Sequence, residues 1–145
     1  MASEAADLGV ADANVWVEIT GRFDPDLITA RTGIEPHRVQ KYGASTRIPG
    51  RIASEDRWSL REEVTSGDFG PALLAVIGKL ESMGAALKDL NERGARTEVI
   101  VEAYVVGRPD SVIPRLYLHA ETLRRLADLG VHLALDISLL EEDDS

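Results

Sequence analysis

Polar and apolar residues alternate from Asn14 to Gly21, with Val15, Val17 and Ile19 on one side and Trp16, Glu18 and Thr20 on the other. A period of two predicts a half-buried strand. Asp24-Pro25 then opens a helix, since Asp is a favoured N-cap and Pro suits the first helical position. Leu27 and Ile28 give that helix an apolar side. Gly33 fits a left-handed stop, Ile34 supplies the contact behind it, and Pro36 prevents continuation. From Arg57 to Arg61 the alternation returns, with Trp58 and Leu60 opposed to the two arginines. From about Asp68, the residues Leu73, Ile77, Leu80, Leu87 and Leu90 recur at helical spacing. Gly84 falls within that series, where it can divide it into two helices, and Gly94 suits its end.

The β-branched run from Thr97 to Val106 reads as a central strand, and Gly107-Arg108-Pro109-Asp110 as a turn. A short strand over 115–118 follows, then a helix over 121–129 closed by Gly130 and Val131. The last strand, 131–138, places Leu133, Leu135 and Ile137 opposite His132, Ala134 and Asp136. The order β-α-β-α-β-β-α-β predicts an α+β fold: a mixed, mostly antiparallel sheet with helices on one face, loosely ferredoxin-like. Its 145 residues make one domain over 13–138, flanked by a mobile segment 1–12 and an acidic tail 139–145.

Charge narrows the function classes. The chain carries −9, which disfavours polyanions because phosphate contacts need clustered cations; nucleic acid is not an expected partner. The absence of cysteine excludes disulfides, thiol catalysis and Cys-ligated metal. The start has no basic segment followed by an apolar one, and no apolar run approaches the ~18 residues of a membrane span, so a cytoplasmic protein without membrane contact is expected. The excess of Arg over Lys and the many Ala and Gly associate with GC-rich bacterial genomes.

Against that acidity, the stretch from Arg31 to Arg61 holds seven Arg and Lys and only three acidic residues. Within it, Lys41, Ser45, Thr46, Arg47, Gly50 and Arg51 have the composition of a phosphate or carboxylate cradle, or of a solvated loop that offsets the acidic body. Alternation collects a second sheet face of Trp16, Glu18, Thr20, Arg57, Ser59, Arg61, Glu98, Glu102, Tyr104, Arg115, Tyr117, His132 and Asp136. Mixed charge with aromatics suits a binding face, and equally a solvated face whose charges pair across strands. Trp16 reads either as an exposed anchor or as a residue lying under the basic loop. Trp58 reads as a core anchor whose indole N–H needs one acceptor. Asp136, if buried, needs an arginine such as Arg57. Binding candidates are therefore Trp16, Arg47, Arg51, Arg57, Arg61, Tyr104 and Asp136. None is assigned a catalytic role, since phosphate-loop, dinucleotide and nucleophile-elbow motifs are absent. His37, His119 and His132 have no shared metal-ligand spacing, so neither metal nor cofactor is expected, though His119 stands where it could cap the third helix.

Several landmarks recur in order: Gly21 before Phe23-Asp24-Pro25, the run Thr32-Gly33-Ile34-Glu35-Pro36, Lys41-Tyr42-Gly43, Arg57-Trp58-Ser59-Leu60, and the stretch from Leu123 to Ser138. With them the chain resembles a family of small bacterial proteins known only as a domain of unknown function, number 4279 of that series. The resemblance spans roughly Asn14 to Ser138 and implies a compact α/β fold with no established activity. The expected function is a non-enzymatic protein-interaction module, immunity- or antitoxin-like or self-associating, with a protein partner or a second copy on the mixed face and the 36–57 loop. The alternative is a small-anion site or enzyme built on Arg47, Arg51, Arg57 and Asp136.

Overall fold

A computed structural model describes residues 10–64, 68–107 and 117–141. The elements are β1 (Val10–Gly21), α1 (Pro25–Thr32), β2 (Arg38–Gln40), β3 (Asp56–Glu62), α2 (Gly70–Met83), α3 (Ala85–Glu92), β4 (Arg96–Gly107), α4 (Ala120–Leu129) and β5 (His132–Glu141). The strands form a five-stranded sheet in the order β2-β3-β1-β4-β5. Every pairing is antiparallel except β4 with β5, which is parallel. This is the expected α+β fold, and the loose ferredoxin likeness lies in its layering of helices over one sheet face.

Alternation builds the core. Val15, Val17 and Ile19 of β1, Trp58 and Leu60 of β3, and Val99, Val101, Ala103 and Val105 of β4 all point to the helical side and are buried. Against them α2 sets Ala72, Leu73, Val76, Ile77, Leu80 and Met83 at helical spacing. Leu87 of α3 and Leu126 of α4 complete the layer. Gly84, at φ 53° and ψ −120°, adopts a conformation closed to residues with a Cβ, and α3 departs from α2 at 83°. No single helix among the described residues is long and apolar enough to cross a membrane.

The predicted caps hold. The Asp24 side chain accepts from the Asp26 N–H at 3.0 Å, and Gly33 and Gly130 end α1 and α4 in the left-handed conformation. Trp58 is fully buried and its indole N–H donates to the Thr29 hydroxyl at 3.3 Å, which ties β3 to α1. His119 occupies the N-cap of α4 without a side-chain bond to it.

The strand boundaries differ from expectation toward both ends of the chain. β1 starts at Val10 and β5 runs to Glu141, each extending into a stretch read as a terminal segment. β2 is an added strand, paired with β3. Of the strand expected over 115–118, residues 115 and 116 lie outside the described residues, while Tyr117 and Leu118 precede α4 without strand pairing.

Candidate functional site: the uncovered face of the sheet

Because side chains alternate across a sheet, burying one face of β1, β3 and β4 leaves the opposite residues on a face no described helix covers. The register arranges them in rows. One row runs Arg38, Ser59, Glu18, Glu98, His132 across all five strands. The next runs Arg61, Trp16, Ile100, Ala134, and a third runs Asn14, Glu102, Asp136. Trp16 sits near the middle, half-buried, and Ile100 opposite it is buried at 6% exposure.

Hydrogen bonds hold this face in place. The Asn14 amide donates to Glu102 Oε1 at 3.0 Å, and the Tyr104 hydroxyl donates to the same oxygen at 2.6 Å. Arg61 donates to the Asn14 side-chain oxygen, so four side chains form one chain from β3 to β4. The hydrogen bond to Glu102, then burial, then the charges of Glu102 and Asp12 raise the Tyr104 phenol above its ordinary value of 10.0. Further along, the Trp16 indole donates to Glu18 at 3.3 Å. Glu18 and Glu98 stand directly opposite each other, an unfavourable pairing of like charges. Arg57, 4.0 Å from Glu18, and Arg96, 3.0 Å from Glu98, offset it. The Arg57 Nε is buried without a hydrogen-bond partner.

A groove of about 340 Å³ opens on this face, lined by Asn14, Trp16, Glu18, His37, Arg38, Ser59, Leu60, Arg61 and Glu102. Its carboxylates are engaged from within the face: Glu102 accepts twice, and Glu18 accepts from Trp16. Arg38 and Arg61 are exposed at its rim. Sequence reasoning found Trp16, Arg57, Arg61 and Tyr104, and the structure brings all four onto this face. It missed Asn14, His37, Arg38 and Ile100. Ile100 lay in plain alternation between Glu98 and Glu102, whereas Arg38 depends on a three-residue strand that has no periodic signal.

The condition set for Asp136, burial, is not met. The residue lies on the same face but is exposed, and β1 and β4 separate its strand from that of Arg57. Three strand spacings separate them by about 14 Å across the sheet, and a register offset of six residues by about 20 Å along it, so they form no pair. Among the remaining predicted members of the face, Arg115 is outside the described residues and Tyr117 is exposed ahead of α4.

The basic loop is an ordered hairpin arm. The Gly43 N–H donates to the Ala53 carbonyl at 2.9 Å, the Ala53 N–H to the Ala44 carbonyl at 2.8 Å and the Thr46 N–H to the Arg51 carbonyl at 3.0 Å, and Ser45 bridges Ile52. Its tip, Ile48-Pro49-Gly50-Arg51, closes with the Arg51 N–H on the Ile48 carbonyl at 3.1 Å. Pro at the second position and Gly50 at φ 79° at the third are what a type II turn requires. Arg47 and Arg51 project from this arm into solvent. The base is anchored by Asp56, which is only 8% exposed and accepts from the Tyr42 N–H at 2.9 Å and the Phe23 N–H at 3.0 Å. The Arg22 guanidinium stacks on the Tyr42 ring at 3.7 Å. The four groups of the expected anion site, Arg47, Arg51, Arg57 and Asp136, are thus split between the arm and two separated strands. Among the described residues no three His, Asp or Glu side chains cluster as metal ligands.

The profile of one sequence family, a domain of unknown function (DUF4279), matches residues 11–140. The chain belongs to the DUF4279 family. No curated protein and no solved structure matches it. The family match runs from the second residue of β1 to within one residue of the end of β5, so the family unit includes the whole sheet.

Proposed function

We propose that this DUF4279 protein is a non-enzymatic interaction module of the bacterial cytoplasm, whose uncovered sheet face receives a protein partner around Trp16. The observation that carries this reading is the groove, where a half-buried indole is framed by arginines and by side chains already fixed in a hydrogen-bonded chain. Aromatic and arginine side chains in desolvated pockets carry most of the energy of protein interfaces. Side chains ordered before binding reduce its entropic cost. An immunity- or antitoxin-like role fits a small acidic module that holds one partner, by analogy of scale and charge alone.

The alternative, an anion site or enzyme at the basic loop, gains no support from Arg47 and Arg51, which point into solvent from the arm. The test is native mass spectrometry of the protein drawn from its host, beside the Trp16→Ala, Arg61→Glu double variant. A partner mass on the native chain that vanishes from a folded variant is the expected result. A partner retained by the variant, or a bound small anion in its place, overturns the reading.

A further inference from the structure

The sheet has a second surface, unrelated to the Trp16 groove, along its β5 edge. β5 is ten residues long, and among the described residues no strand pairs with its outer side. Its register with β4 is continuous from His132 to Glu141, with no bulge to turn the edge away. Between Leu133 and Leu139 it carries neither proline nor a basic residue, two of the devices that keep an edge strand from pairing, and its one charge is Asp136. Its odd-numbered side chains face the helical side, yet the helical layer gives out along it. Leu133 packs against the core, and then exposure climbs to 42% at Leu135, 55% at Ile137 and 73% at Leu139. Their β4 neighbours Val101, Ala103 and Val105 stay buried.

An apolar patch alone could accept many partners. Unpaired backbone beside it selects a strand, because only a strand satisfies the edge N–H and C=O groups while covering alternate side chains. The side-chain order then selects a second copy of this chain. A two-fold axis normal to the sheet keeps both helical layers on one side, so odd positions meet odd and even meet even. Centred on Ile137, it sets Ile137 against itself, Leu135 against the second copy's Leu139, and Asp136 against the second copy's Ser138, whose hydroxyl can donate to the carboxylate. Centred one residue earlier, it sets Asp136 against Asp136, which like-charge repulsion disfavours. We infer that the protein forms a symmetric dimer by antiparallel pairing of β5 about Ile137, joining two five-stranded sheets into one of ten strands.

Light scattering and native mass spectrometry of the full chain should give twice the chain mass. Because each chain carries −9, added salt should strengthen the pairing. Ile137→Lys places two ammonium groups at the axis and should halve the mass. The chain has no cysteine, so the register can be read by cross-linking without background. Opposed Cβ atoms in an antiparallel pair lie about 4.5–5.5 Å apart, close enough for a disulfide after small adjustment. Ile137→Cys should therefore oxidise to a covalent dimer. Leu139→Cys alone should not, since its two copies stand about 13 Å apart along the strands, but mixed with Leu135→Cys it should. If Ile137→Lys fails to fold, the cysteine variants still decide the matter. A single-chain mass at every concentration, a different protein on the edge, or cross-linking of Leu139→Cys as ready as that of Ile137→Cys would each overturn the inference.

Discussion

The two edges of the sheet are opposites. At one, β2 offers three residues, of which Arg38 is charged, and the chain turns at once into an arm whose own hydrogen bonds use its backbone. At the other, β5 offers ten residues, with leucine and isoleucine at alternate positions exposed on the helical side. Shortness and basic charge are means by which proteins blunt an edge, and of the two edges only β2 combines them. The contrast teaches that, among the described residues, the edge far from the basic segment is the longer and more apolar of the two. The conspicuous charges, meanwhile, belong to the short edge.

The short edge rests on β3, and the largest effect should come from undoing that support. Trp58 lies directly beneath the pairing of β2 and β3, in register with Val39. Trp58→Ala removes the largest fully buried side chain and the partner of Thr29. It should cost about 3–5 kcal/mol in urea unfolding, a large share of an ordinary domain's stability. An effect below ~1 kcal/mol would mean that β3 does not depend on this anchor. Asp56→Ala should come next, at about 2 kcal/mol, because it leaves the Phe23 and Tyr42 N–H groups without their carboxylate. Amide exchange should then accelerate at Tyr42 and through the arm, while β5 amides keep their rates. Uniform acceleration would show that the arm and the sheet open together.

The smallest effect lies next to the open edge, where Tyr104 neighbours Ser138 in register. Its phenol is raised above 10.0, chiefly by the bond to Glu102, so the folded state favours the protonated form. That contribution is complete below the unfolded value near 10 and is lost as pH rises through the folded one. Spectrophotometric titration should show one late-ionising tyrosine that disappears in Tyr104→Phe. The stability difference between that variant and the native chain should shrink at the same high pH. A titration unchanged by the substitution would remove Tyr104 from the hydrogen-bonded chain.

Much of the fold was legible because it follows from local rules. Two-residue alternation in β1, β3 and β4 settled which side chains enter the core. Asp24-Pro25, Gly33, Gly84 and Gly130 marked the helix boundaries through conformations that only certain residues adopt at low cost. The same alternation placed Trp16, Arg57, Arg61 and Tyr104 together, since residues facing away from a shared core must share the other face.

Long-range pairing decided the rest. Strand β2 exists because Arg38, Val39 and Gln40 meet β3, and three residues show no period of their own. Asp56 looked like one acid among basic residues, and only the return of the arm over Phe23 and Tyr42 made it an anchor. Asp136 and Arg57 seemed matched by charge, but the strand order placed two strands between them. The sequence by itself determined the faces of the strands, the ends of the helices and the α+β class, because steric and hydrophobic preferences act within a few residues. Only the tertiary structure decided which strands neighbour one another, which charges meet, and which edge stays open, because those depend on how segments distant in the chain share one core.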